Sequence, residues 1–265
     1  MAEEKDNEAH QRALLGARII AGLRAGEFMV AFQPVVHAST RALFGVECLL
    51  RWRHPRYGLL LPGAFEPALH DPAVAHEVTR FVLDVACQRL RDTRRAGGAL
   101  PLVAVNVQPA QLLDDSLVQM IDEFTRRDGV PASCIELELV ENEETLPLIA
   151  TREFTVPLRS RGVQLALDDF GTGYASLATL AGAQVDAVKL AREFLDHGPL
   201  RADSRGACVL RSVIDMLGRL GMRTVVEGVE CAEQMAWLAA LPTVYAQGYY
   251  IGRPEYEFPA MHEAR

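Results

Sequence analysis

The 265-residue chain carries a set of acids, amides and one lysine at the ends of its apolar runs. VAVNV closes on Asn106, IELELVE on Glu138 and Glu141, and VQLALDD on Asp168 and Asp169. VDAVKL carries Lys189, RTVVEGVE carries Glu227 and Glu230, and VYAQGYY carries Gln247, while the earlier run GVECLLR adds Glu47 and Arg51. A lone acid at a strand end is ordinarily a helix cap or a solvated residue, Lys189 alone would read as a surface charge or a salt-bridge partner, and DDFGTG alone would read as a glycine turn. Recurrence at six successive run ends is not explained that way. Carboxylates gathered in one pocket repel one another and are costly to bury, and a divalent cation relieves both problems. With oxygen donors and no clustered His or Cys, the expected ion is hard: Mg2+, Mn2+ or Ca2+. Glu136, Glu143 and Glu144 fit a solvated or capping role instead.

These residues need a scaffold that makes strand ends converge. Short apolar runs at 28–36, 43–50, 102–107, 134–140, 163–167, 185–190, 223–226 and 244–251 alternate with helical stretches around 73–95, 109–126, 146–161, 204–220 and 231–240. A further helix is expected over 7–25, ended by Gly26. Alternating strands and helices predict a mostly parallel sheet, and eight strands predict an α/β fold of the (β/α)8 barrel type, whose C-terminal strand ends form the active-site face. An open doubly wound sheet would want a GxGxxG turn after its first strand, and there is none. Residues 1–26 are expected to be a helix packed on the barrel, and 27–265 the barrel itself, with the glycines at 97–98 and the Gly-Pro at 198–199 as internal loops. No sensor or receiver segment is expected within this length.

Composition narrows the chemistry. The chain is 49% hydrophobic, so it can bury a core, and no apolar stretch is long enough to predict a membrane span. Lys and Arg number 27 against 35 Asp and Glu, a net charge of −8 that argues against a nucleic-acid polymer as partner. The five cysteines form no CxxC pair and the N-terminus is polar and acidic, which predicts reduced thiols in a cytoplasmic protein. There is no GxSxG elbow and no HExxH, and GTGYAS lacks the Lys-Ser/Thr of a P-loop. His70-Asp71 reads as a solvated loop pair.

The same residues resemble the EAL domain, a bacterial module that hydrolyses cyclic di-GMP. The markers are AFQPVV, ECLLRWRHP, VNVQPAQL, ELVE, LDDFGTGYASL, VDAVKL, VVEGVE and QGYYIGRP, in that order from residue 31 to residue 254. The resemblance allows one antiparallel strand in the barrel. It implies that Glu47, Asn106, Glu138 and Asp168 hold one metal, and that Asp168 bridges to a second, with Asp169 and Glu227 or Glu230 contributing. Lys189 would orient the attacking water and Glu227 would assist its deprotonation. Gln33, Leu50, Arg51 and Gln247 would line the nucleotide and its phosphate, with Asn106, Asp168, Lys189 and Glu230 also near substrate, and Glu141 would anchor the DFGTG loop. Two Mg2+ or Mn2+ ions per site, inhibition by Ca2+, a homodimer and the product pGpG are likewise implied.

The pattern departs from that family at several places. Cys48 replaces the Ala of Glu-Ala-Leu, Val140 replaces the Thr of Glu-x-Thr-Glu, and Ala191 replaces the Asp of Lys-Ile-Asp; the loop at 66–70 also diverges. None removes an expected metal ligand, but changes beside ligands can cost about 10–100-fold in metal affinity or activity. The expectation is an active enzyme, and the alternative is a catalytically weak or inactive domain serving as a cyclic di-GMP receptor or interaction module.

Overall fold

The computed structural model describes residues 2–173, 180–196, 204–241 and 243–259. The Gly-Pro at 198–199 and the end of the DFGTGYASL motif lie outside them. Nine strands form one sheet: β1 (Phe28–His37), β2 (Leu43–His54), β3 (Gly58–Leu60), β4 (Leu102–Asn106), β5 (Ile135–Val140), β6 (Gln164–Phe170), β7 (Ala187–Leu190), β8 (Arg223–Val226) and β9 (Val244–Ala246). The order β1-β9-β8-β7-β6-β5-β4-β2 closes through a β1–β2 pairing into an eight-stranded barrel. β1 runs antiparallel to both its neighbours, and the remaining barrel pairs are parallel. The ninth strand, β3, forms a hairpin on β2 outside the ring and is not foreseen in the run pattern.

Helices cover the barrel: α1 (Ala2–Arg24), α2 (Glu66–Leu69), α3 (Pro72–Arg95), α4 (Asp115–Asp128), α5 (Thr145–Ala150), α6 (Arg152–Arg159), α7 (Arg205–Arg219) and α8 (Ala232–Ala239). Their boundaries follow local chemistry. Asp71 caps α3 by accepting from the Ala73 and Val74 N–H groups, with Pro72 in the first turn. Asp114 caps α4 in the same way, and Gly129 ends it in the left-handed conformation. The single helix expected over 146–161 is two, because Thr151 adopts an extended backbone between α5 and α6. α1 packs against α2 and α3, with Ile19 fully buried.

Parallel strands buried on both faces read as continuous apolar runs, as residues 102–105 of β4 do, but β5 alternates apolar and acidic residues although it is buried on both faces. In β5, Leu137 and Leu139 face the helical layer, while Glu136 and Glu138 share the inner face. Glu136 therefore corrects an expectation, since it is neither solvated nor a cap. It is buried beneath Glu138 and accepts a hydrogen bond from Arg223, which also donates to Gln164 Oε1 at 2.7 Å. Glu143 and Glu144 are exposed, as is the His70-Asp71 pair. All five cysteines are free; Cys48 and Cys87 are buried core residues, and Cys208 is exposed. No helix among the described residues is long and apolar enough to cross a membrane.

Candidate active site

The barrel topology brings the C-terminal ends of the parallel strands to one mouth. Glu47 on β2, Asn106 at the end of β4, Glu138 on β5, Asp168 and Asp169 on β6 and Lys189 on β7 meet there with Glu227 just after β8 and Gln247 just after β9. At the centre is the Lys189 ammonium, buried and 2.7 Å from Glu227 Oε1, 2.9 Å from Glu138 Oε1, 3.2 Å from Asp168 Oδ1 and 3.4 Å from Glu47 Oε2. Two amides orient Glu47: Asn106 Nδ2 donates to Oε1 at 3.0 Å, and Gln247 Nε2 donates to Oε2 at 2.6 Å. Gln247 also reaches Gln33 Oε1 at 3.3 Å, so the antiparallel β1 contributes to the same network.

Two successive aspartates on a strand should face opposite ways. Here the β6–β7 ladder is irregular between Leu167 and Phe170, and Asp169 takes a φ of +54°. Left-handed backbone is tolerated by Asp better than by most residues, and it tends to persist where function requires it. The turn keeps the Asp169 carboxylate beside that of Asp168. Glu141 Oε2 accepts from the Gly171 N–H at 2.7 Å and so fastens the segment that follows. Gly171 has a φ of +106°, and a Cβ there would lie 2.3 Å from the Phe194 ring, so glycine is required.

The electrostatics of the cluster are those of an under-neutralised anion site. Burial pushes Glu138 well above the usual carboxylate range, and Asp168 is raised by burial and by Glu47. Asp169 is pushed up to about 6 and Glu227 to about 8, in both cases chiefly by burial, with the neighbouring acids adding to it. Glu47 is lowered despite burial, because Lys189, Gln247 and Asn106 outweigh the loss of water. Burial opposes the charge on Lys189, but the four acids around it hold it firmly as an ammonium.

The donor set fits divalent cations. Oxygens of Glu47, Glu138 and Asp168 lie within 4.8 Å of one another, and so do those of Asp168, Asp169 and Glu227. Asp168 belongs to both groups. Fully ionised, five carboxylates against one ammonium leave four negative charges, the charge that two divalent cations would balance. Glu138 Oε2 is buried without a hydrogen-bond partner, a free lone pair pointing to the need for a cation.

Cavities flank the cluster on two sides, with Glu47 in the wall of each. One, of about 280 Å3, lies under α2 and α3 and includes Leu50, Asn106, Val140, Asp168 and Asp169 in its lining. The other, of about 230 Å3, includes Gln33, Arg192, Glu227, Glu230, Gln247 and Tyr249. Arg51, expected near substrate, is half-buried, donates to the Leu50 carbonyl at 2.9 Å and lines neither cavity. Glu230 is exposed at the rim. Arg192 is absent from the residues that sequence reasoning singled out, because an arginine on a short 3-10 turn after β7 looks like any surface charge.

Comparison with known proteins agrees with this geometry. The EAL domain profile matches residues 12–254. The Cyclic di-GMP phosphodiesterase NbdA of Pseudomonas aeruginosa is 33% identical over 252 residues, covering 93% of this chain and 31% of that protein, so the chain spans about a third of its length. An uncharacterized protein of Mycobacterium tuberculosis is 31% identical over 255 residues, covering 95% of this chain and 83% of the relative. The solved structure of the PaMucR phosphodiesterase in complex with c-di-GMP superposes with a TM-score of 0.79 at 30% identity, covering 91% of this chain and 97% of that one. With the profile spanning nearly all of the barrel and the markers falling where its strands end, the chain belongs to the EAL domain family.

Proposed function

We propose that the protein is a metal-dependent phosphodiesterase that hydrolyses cyclic di-GMP to linear pGpG. The observation that carries this reading is the sharing of Asp168 by two carboxylate groups, with Lys189 and Glu227 in contact beside it. The names of the relatives support the substrate. Glu47, Asn106, Glu138 and Asp168 would hold one ion, and Asp168, Asp169 and Glu227 the second. When bound, two Mg2+ or Mn2+ ions neutralise the phosphoryl oxygens and acidify the attacking water. Ca2+, with looser geometry, is expected to occupy the site without supporting turnover.

The remaining work falls to the side chains. Lys189 donates hydrogen bonds that fix the water, and Glu227, in contact with Lys189 at 2.7 Å, accepts its proton. Attack on phosphorus breaks the P–O3′ bond, leaving a 5′-phosphate on one side and a 3′-oxygen that takes up a proton from solvent on the other. Glu47 acts through its own fixed orientation, set by Asn106 and Gln247. Gln33, Leu50 and Glu230 bound the space for the nucleotide.

Incubation of the purified protein with cyclic di-GMP in Mn2+, Mg2+ or Ca2+, followed by chromatography of pGpG, tests the reading. Turnover in Mn2+ or Mg2+ that is lost in Glu47→Ala is the expected result. Binding without turnover in any of the three ions would make the protein a receptor, and neither binding nor turnover would remove cyclic di-GMP from consideration.

A further inference from the structure

The proposed substrate carries two phosphodiester anions, and only one can sit over the carboxylate cluster. The other lies off the cluster, where the two flanking cavities adjoin it, each already containing acidic side chains. The cavity under α2 and α3 has no cationic side chain in its lining, so an anion there would meet Glu47, Glu66 and Asp169 without a counter-charge. The cavity on the β8–β9 side has one cation, Arg192, facing Glu47, Glu227 and Glu230.

We propose that Arg192 binds the second, uncleaved phosphate of the cyclic dinucleotide and thereby sets which way round the ring lies across the cluster. This rests on the cyclic di-GMP reading above. Two features of the position suit the role. The guanidinium is available: its side chain is 70% exposed, and its one ion pair among the described residues is a long 3.8 Å contact with Glu193. The stem is held: Gly228, at a φ of +70°, lies so close that a Cβ there would come within 2.4 Å of Arg192 Cβ. The absence of a side chain at 228 lets the turn after β8 close directly on Arg192 and hold its base at the cavity wall, while the tip keeps the freedom to meet a ligand. A guanidinium offers two parallel donors to a phosphate, a geometry an ammonium does not reproduce.

The test is steady-state hydrolysis of cyclic di-GMP by the Mn2+-loaded wild type, Arg192→Ala, Arg192→Lys and Arg51→Ala, at two ionic strengths, with binding in Ca2+ as a second readout. Arg192→Ala is expected to raise KM, and weaken binding in Ca2+, about 10-fold while kcat changes less than about 2-fold. Arg192→Lys is expected to recover part of the loss. The salt dependence of KM should flatten in Arg192→Ala, which a merely structural role would not produce. An unchanged KM in Arg192→Ala, or a KM loss confined to Arg51→Ala, would overturn the assignment while leaving the proposed activity intact. A wild type that neither binds nor hydrolyses cyclic di-GMP would overturn both.

Discussion

Lys189 Nζ and Glu227 Oε1 lie 2.7 Å apart at the mouth of the barrel, the shortest of four contacts that this ammonium makes with carboxylates. In the proposed mechanism this contact cradles a water molecule: Lys189 donates to it and Glu227 receives its proton. Replacing Glu227 by Gln keeps the shape and removes the proton acceptor. Glu227→Gln is expected to lower kcat about 10²–10⁴-fold with a much smaller change in KM, measured by initial rates of pGpG formation in Mn2+. A fall in kcat of less than about 5-fold would exclude Glu227 as the base.

The charge imbalance at the mouth predicts that metal binding stabilises the fold. A ligand present at about 100 times its Kd adds about 2.7 kcal/mol, which for a domain of this size is a rise in Tm of about 5–10 °C. Thermal unfolding in EDTA against millimolar Mn2+ should show it, and Glu47→Ala should lose most of it. Equal Tm values with and without Mn2+ would contradict the two-ion site.

Glu141 is not itself a proposed metal ligand, yet its carboxylate accepts from the Gly171 N–H and its own N–H donates to the Asp168 carbonyl at 2.9 Å, so it holds the segment that carries Asp168 and Asp169. Glu141→Ala is expected to weaken metal affinity or activity about 10–100-fold, and Glu141→Gln, which keeps an acceptor oxygen, to recover part of it. Mn2+ titration of the rate separates the two effects.

A prediction independent of the active site concerns Asp128, which is buried at the end of α4 and ties it to α3 through Arg91, with Arg127 on its other oxygen. Burial alone would raise its pKa; the hydrogen bonds and charge of Arg127, followed by those of Arg91, outweigh it, and the folded-state value is lowered. A lowered folded pKa means that the unfolded chain binds the proton more readily, so this stabilisation is present above the unfolded carboxylate pKa and is lost as pH falls through the folded one. Asp128→Asn should therefore cost about 1–3 kcal/mol at pH 7, with the gap to wild type closing toward pH 3. Urea unfolding at pH 7, 5 and 3 measures it.

Much of this was legible in the residues. The strand ends were readable because each terminates an apolar run with a polar group, and the sheet delivers those groups to one place. The extra hairpin strand was not, since Gly58–Leu60 has too few residues to show a period. Glu136 was misread because its partner, Arg223, is 87 positions away and begins a different strand; sequence shows an isolated acid where the fold supplies a cation. The split of 146–161 depends on one backbone torsion at Thr151, which propensity does not encode. Arg192 carries no signal at all until β8 and the turn after it are placed against it.

The reversed direction of β1 has a mechanical consequence. Because β1 descends while its neighbours rise, the chain enters the barrel at the rim of the acid site and not at the closed floor, with Phe28 beside Trp52 at the upper end of β2. α1 is hinged at that rim by Glu27, which accepts from Arg18 at 2.8 Å and from Trp52 Nε1 at 2.9 Å. α1 is thus tied at one end to Trp52, on the strand that bears Glu47, and along its side to α2 and α3, so a displacement of α1 is felt both at the rim of the acid cluster and in the helices that wall one of its cavities.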